Sequence, residues 1–468
     1  MKPINPSIFK AYDIRGIYPT DLNEEAAEVI AQAIYKTFRQ DTEKDTMSIV
    51  LGRDMRQSSP SLHNVISAAL ISMGATVVDI GIVPTPTVYF MVQNGKYDGG
   101  IQISASHNPG EYNGIKIIRR DGNSLIKIGK STGMDRIKQA ALAGNISPSE
   151  TKGTVVNISD AVKQEIAAAF TAVNPTITKH TIVIDAANAM GSVFLDELFT
   201  HVDADIVRMN WELDGSFPAH QADPLQFNLW GDLRKRVVSE HADFGIMPDG
   251  DGDRVFFVDE KGDIIPATLI TALISREILT RHPGERILVD IRYIRNVGAV
   301  VEKYGGELSI SQVGHALITE QLNKEHAFFA GESSGHYYFR ETGGAESSAR
   351  VILYVLDAVS RANKPLSHLL AGFATSVESG ETNFKLNDGI TGAHITQSVV
   401  SAYKDGELSE LDGIAVTYPD WRLSIRSSNT EPLIRLNVEG ATETLVKEKN
   451  SELTERMLNI GASLATTR

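Results

Sequence analysis

Along most of this chain, apolar positions recur at helical spacing and then give way to short β-branched runs. Asn23 to Phe38 places Ala26, Ile30, Ala33, Ile34 and Phe38 on one face, which predicts a helix. Met47 to Leu51 follows as a strand. Ser59-Pro60 opens a second helix with proline at its first position, Gly74 stops it, and Ala75 to Ile80 is again strand-like. Gly100 to Ile103 predicts another short buried strand. The rhythm is that of layered α/β units.

A polar stretch from Ala143 to Thr154 marks a first boundary. Beyond it come a helix near Asp160 to Val173, a strand at Thr181 to Asp185, and an acidic loop from Asp249 to Arg254. A third unit has a helix from Pro266, a strand Arg286 to Asp290, a helix after Ile294 and a strand Glu307 to Ser311. After Lys364-Pro365 the texture changes. Strand-like pieces at Thr382 to Leu386, Gly413 to Tyr418 and Leu433 to Val438 mix with helices at Ala393 to Ala402 and Thr442 to Leu458. Four units are expected, over 1–152, 153–254, 255–366 and 367–468, the last a smaller α+β domain. The first three are similar enough in size and rhythm to share a fold.

Bulk composition narrows the function. At 42% hydrophobic and 22% charged residues, the 468-residue chain is ordinary globular material. It has no cysteine, which removes disulfides, thiolate metal sites and cysteine nucleophiles. The net charge of −14 argues against nucleic acid as the main partner, though not against a small anion held by a local cation cluster. The most apolar stretch, Val65 to Val83, contains Gly74, Asp79 and Gly81, so it reads as helix, stop and strand rather than a membrane span. Met1 to Pro6 carries no signal-peptide core. A cytoplasmic protein without a membrane partner is expected.

Four loops carry candidate chemistry. Ser104-Ala105-Ser106-His107-Asn108-Pro109 closes the strand ending at Ile103, where a serine is held rigidly enough to act as nucleophile or phosphate carrier. Asp249-Gly250-Asp251-Gly252-Asp253-Arg254 alternates three carboxylates with glycine between strand-like flanks, a hard oxygen set suited to Mg²⁺ or Ca²⁺. An EF-hand is the sharper rival, since Glu260 falls at loop position 12; but position 6 is Arg254 where that loop needs glycine, and the flanks read as strands. Gly331-Glu332-Ser333-Ser334-Gly335-His336 puts Glu332 and Ser334 on one side of an extended segment, suited to a pair of sugar hydroxyls, with His336 as a proton shuttle. Arg426-Ser427-Ser428-Asn429-Thr430-Glu431-Pro432 makes an oxyanion cradle.

These four loops, in this order, together with Phe9-Lys10-Ala11-Tyr12-Asp13-Ile14-Arg15-Gly16, resemble the α-D-phosphohexomutase superfamily, and its phosphomannomutase/phosphoglucomutase branch most. The resemblance spans the chain. It implies three topologically related α/β domains plus a smaller C-terminal α+β domain around a central cleft. It implies Ser106 as the phosphorylated serine. Asp249, Asp251 and Asp253 would bind Mg²⁺ with the serine phosphate as a further ligand, and Arg254 would lie near the transferring phosphate. Glu332 and Ser334 would hold sugar hydroxyls, and Arg426, Ser428, Asn429 and Thr430 the non-reacting phosphate. Tyr12, Arg15, His107, Asn108, Lys116, His315 and His336 match active-site positions of the family, with Lys116 and His336 as proton-transfer candidates.

The implied reaction moves a phosphoryl group between O1 and O6 of a hexose phosphate through a hexose 1,6-bisphosphate, in a monomer or homodimer. Three departures stand out. Ser104 replaces the usual threonine. Arg292 stands where the branch often has lysine and keeps the charge without the geometry. Glu341 to Glu346 looks shorter than usual and would reshape one cleft wall. Alternatives are a phosphoglucosamine mutase and a Mg²⁺-dependent sugar-phosphate phosphatase.

Overall fold

The computed structural model describes residues 4–465 apart from 145, 388 and 428–432. Local signals set most element ends. The Asn23 side chain accepts the Ala26 N–H (3.0 Å) and opens helix Glu24–Thr42. Pro60 sits in the first turn of Ser59–Ser72, and Gly74, at φ +91°, turns the chain into strand Thr76–Ile82.

The first three units repeat one sheet order. In the second unit the strands run Ala204–Met209, His180–Asp185, Phe244–Pro248, Val255–Asp259, Ile264–Ile265 from edge to edge. In the third they run Glu307–Ser311, Arg286–Asp290, Phe329–Gly331, Tyr337–Phe339, Ala345–Glu346. In the first, Thr76–Ile82, Ser48–Arg53, Gly99–Ile103, Tyr112–Asp121 and Ser124–Lys127 follow the same pattern, extended by Ile14–Ile17 and Thr154–Asn157. Each set has three parallel strands and then an antiparallel hairpin. The central strands are covered by helices on both faces, so Gly99–Ile103, Phe244–Pro248 and Val255–Asp259 are buried throughout. The fourth unit is an antiparallel six-stranded sheet carrying helices Gly392–Ala402 and Glu443–Asn459.

Three unit edges differ from those expected. Strand Thr154–Asn157 pairs in parallel with Thr76–Ile82 and so belongs to the first sheet, past 152. The hairpin after the acidic loop stays in the second sheet to Ile265, past 254. Leu366, Leu370 and Phe373 lie in the core shared by the second and third units, past 366. Composition marks where polarity changes; hydrogen-bond pairing and core packing decide where a unit ends.

One consequence of the repeat places the chemistry. The connection from the third to the fourth strand of each unit is, in turn, the Ser106 loop, the triple-aspartate loop and the Glu332 loop. All three sit at the carboxyl end of a central strand, where α/β sheets hold their ligands.

Candidate active site

Ser106 is buried and held at φ +50°, an uncommon backbone conformation for a residue with a side chain. Its hydroxyl donates to Asp249 Oδ2 at 2.8 Å and lies 3.1 Å from His107 Nδ1. Its N–H donates to Ser104 Oγ at 3.0 Å. Burial, with Arg254, Arg15 and Lys116 nearby, keeps the His107 imidazole well below its ordinary range and therefore neutral. Arg15 Nη1 donates to Asn108 Oδ1 at 2.5 Å and pairs with Asp13, bracing the loop from the first strand.

The second loop docks directly on the first. A Cβ on Gly250 would lie 2.2 Å from the Ser106 carbonyl oxygen, so only glycine permits this approach. Asp249, Asp251 and Asp253 are buried, and an oxygen from each lies within 4.8 Å of the others. Cations from two directions offset them. Lys116 Nζ reaches Asp251 Oδ2 (2.5 Å) and Asp253 Oδ2 (2.6 Å), and Arg254 Nε reaches Asp249 Oδ2 (3.0 Å). Burial pushes the Asp249 carboxyl up to about 6. For Lys116, burial favours the neutral amine, yet Asp251 and Asp253 outweigh it and hold the ammonium well above its ordinary value. Asp251 Oδ1 is buried without a hydrogen-bond partner. A close set of carboxylate oxygens with such an orphan fits a hard divalent cation such as Mg²⁺.

The third loop joins the same cluster. His336 lies between Asp253 Oδ1 (3.3 Å from Nε2) and Glu332 Oε2 (2.9 Å from Nδ1). Burial opposes its charge, but the two carboxylates raise it to about 9, so the ring is protonated at neutral pH. Ser334 Oγ is 3.1 Å from His336 Nδ1. Arg292 is buried and spends its fork on Asp290 (2.9 and 3.1 Å) and on Glu332 Oε1 (3.3 Å). The arginine thus braces the Glu332 carboxylate. Tyr12 meets His315 edge-on at 5.3 Å, and His315 stacks on His336 at 6.2 Å.

Arg426 lies on strand Trp421–Ser427 and pairs with Asp412 (3.0 Å), whose carboxylate also accepts the Val313 N–H near His315. Ser428, Asn429 and Thr430 lie outside the described residues. The remaining candidates from all three hairpin loops, with Lys116, therefore converge on one cluster.

Sequence reasoning missed the residues that hold the loops in place. Buried Arg56 donates to the carbonyls of Ser106 (2.8 Å), Asn108 (2.6 Å), Pro109 (2.6 Å) and Tyr112 (2.9 Å), and pairs with Asp54. The Thr85 N–H, at the start of helix Thr85–Asn94, donates to the Asp251 carbonyl at 2.9 Å. A signal existed for Arg56: it follows the carboxyl end of strand Ser48–Arg53, where sheets of this kind build sites.

Comparison with known proteins agrees with this arrangement. The phosphoglucomutase/phosphomannomutase α/β/α domains I, II and III match residues 6–142, 159–262 and 261–376, and the C-terminal domain matches 381–456. A phosphomannomutase of Methanocaldococcus jannaschii is 35% identical, over 98% of this chain and 99% of its own. A phosphomannomutase/phosphoglucomutase of Pseudomonas aeruginosa is 30% identical, over 98% and 97%. The crystal structure of a phosphoglucomutase/phosphomannomutase family protein from Burkholderia thailandensis superimposes with a TM-score of 0.88 at 29% identity, covering 98% of this chain and 99% of that one. Among the described residues, no helix is long and apolar enough to cross a membrane. With all four domains matched in order and the three loops assembled in one cluster, the chain belongs to the phosphoglucomutase/phosphomannomutase family of phosphohexomutases.

Proposed function

We propose that the protein interconverts the 1- and 6-phosphates of glucose and of mannose through a phosphorylated Ser106 and a hexose 1,6-bisphosphate. One observation carries this reading: the Ser106 hydroxyl donates to Asp249 at 2.8 Å, and the same acidic loop meets the Glu332 loop through Asp253 and His336, 3.3 Å apart. In the first half-reaction the bond from phosphorus to Ser106 Oγ breaks, and a bond from phosphorus to the free sugar hydroxyl forms. The hydroxyl loses its proton and Oγ gains one. In the second half-reaction the bisphosphate, turned over in the cleft, returns its other phosphoryl group to Ser106. Catalysis of this kind is positioning and charge stabilisation.

Asp249, Asp251 and Asp253 would hold Mg²⁺, which supplies charge neutralisation at the transferring group. Arg254 and Arg15 add fixed positive charge beside Ser106. Lys116 and His336 both hold protons at neutral pH in this arrangement, which suits donation to the oxygen that loses phosphorus. The group that gives a proton in one half-reaction takes it back in the other. Glu332 and Ser334 read O3 and O4, which exchange places when the sugar turns over. The C2 hydroxyl, where glucose and mannose differ, goes unread. The double name of the Pseudomonas relative supports that dual specificity. Arg426 is the described part of the cradle for the second phosphate.

The test pairs Ser106→Ala with substrate profiling. Turnover of glucose 1-phosphate and mannose 1-phosphate should fall by about 10³-fold or more in the variant, and wild-type protein should carry the mass of one phosphoryl group on Ser106. Undiminished turnover in Ser106→Ala sinks the mechanism. Stoichiometric release of inorganic phosphate would favour the phosphatase reading, and preference for glucosamine phosphate the glucosamine mutase.

A further inference from the structure

Lys127 and Glu346 lie on the fifth strands of the first and third units, equivalent places in the repeated sheet order. Both side chains are buried and form an ion pair between the units. The backbones around them are stitched together. The Leu125 N–H donates to the Gly343 carbonyl at 2.9 Å, and Asn323 Nδ2 donates to the carbonyls of Leu125 (3.1 Å) and Gly343 (2.9 Å). The Lys127 ammonium also sits over two aromatic faces, 5.1 Å from the Tyr89 ring centre and 5.0 Å from that of Tyr338. Tyr338 in turn donates its hydroxyl to Glu332 Oε2 at 3.0 Å.

A buried ion pair contributes little net stability compared with an apolar pair of the same volume. What the charge adds here is direction. An ammonium attracted to the Tyr338 ring fixes where that ring lies, and the ring fixes where its hydroxyl points. We infer that the Lys127–Glu346 pair is a positioning device for the sugar-reading carboxylate: through Tyr338 it sets Glu332 from the unit that also supplies Ser106 and Lys116. The inference rests on the reading of Glu332 as the ligand of the sugar hydroxyls. Its consequence is that hexose phosphate is read correctly only while the first and third units are docked.

Steady-state kinetics and thermal unfolding of three variants test this. In Lys127→Met/Glu346→Gln neither charge is left unpaired. It should melt close to wild type while KM for glucose 1-phosphate and mannose 1-phosphate rises about 10-fold and kcat changes less than about threefold. Tyr338→Phe, which keeps the ion pair and both rings, should raise KM by a similar factor. Added to the double variant it should raise KM less than about twofold further, because both act along one path. Unchanged KM in Tyr338→Phe overturns the proposal even if the double variant fails to fold, and so do effects that simply multiply. Glu332→Gln separates the two levels. If it leaves KM unchanged, the sugar reading itself has failed. If it raises KM while the other variants do not, only the positioning role has failed.

Discussion

The serine loop and the triple-aspartate loop occupy the same topological position in two related units, yet they are held by opposite means. The serine loop turns its carbonyl oxygens inward, onto the guanidinium of Arg56, and this supports the left-handed conformation of Ser106. The aspartate loop turns carboxylates inward and is balanced by Arg254 of its own unit and Lys116 of the first. One loop is shaped by a cation that grips its backbone. The other is an anionic cup whose charge is met largely from outside. The repeated fold therefore supplies a location and a strand-end geometry, and each loop's chemistry comes from which charges face it.

The sharpest way to break the comparison is to separate the loops without touching either set of charges. Gly250→Ala places a methyl group 2.2 Å from the Ser106 carbonyl. A displacement near 1 Å between reacting groups is expected to lower kcat about 100-fold, with the far-ultraviolet circular dichroism unchanged. A kcat near wild type would show that the loops tolerate separation.

Next in size is Arg56→Lys, which keeps the charge and loses the fork. Four carbonyls lose most of their donor, so a stability loss of about 3 kcal/mol is expected in urea unfolding, together with a drop in kcat of about 10-fold. Equal losses after Arg254→Lys would erase the distinction between a gripping cation and a balancing one.

A third test addresses the interface that brings the loops together. Glu165 of helix Ala161–Val173 accepts a hydrogen bond from the Thr87 hydroxyl, two residues from where Thr85 meets Asp251. Burial raises its carboxyl from 4.5 to about 7. The folded state therefore holds this proton more tightly than the unfolded chain. The resulting stability is present in full below pH 4.5 and is lost as pH rises to about 7. At roughly 1.4 kcal/mol for each pKa unit, the loss is about 3 kcal/mol. Glu165→Gln should remove that slope, so its melting temperature gains on wild type between pH 5 and 8. Parallel pH profiles would mean that Glu165 ionises as freely when folded as when unfolded.

The smallest expected effect is that of Ser104→Ala, which removes the acceptor of the Ser106 N–H. About 1 kcal/mol of stability should go, while the phosphoryl group stays on Ser106 in peptide mass mapping. Loss of phosphorylation in this variant would move the carrier role to Ser104.

Much of this was readable from the chain because the signals were local. The helix from Asn23, the stop at Gly74 and the strand flanks of the acidic loop all follow from nearest-neighbour chemistry, and the structure has each of them. What escaped was non-local. Arg56 is an ordinary arginine until a strand end 50 residues away is folded over it. The polar stretch before 152 and the charged loop ending at 254 interrupt the sequence without interrupting a sheet, so both units run past those edges. Lys116 and His336 are candidates for proton transfer from the sequence, but the protonated state of Lys116 depends on Asp251 and Asp253 of another unit, and that of His336 on Asp253 of another unit with Glu332 of its own.

The amino-acid sequence by itself determined most of the elements and the repetition of α/β units, since short-range turn chemistry and apolar periodicity fix those, and it singled out four candidate loops through the residue types they carry and the family they resemble together. Tertiary structure alone decided that the serine, aspartate and Glu332 loops meet in one cluster, and that Lys116 stands beside Asp251 and Asp253. Those facts depend on charges and close contacts between residues of different units, Ser106 with Asp249, Lys116 with Asp253 and Asp253 with His336, brought together only when the units dock.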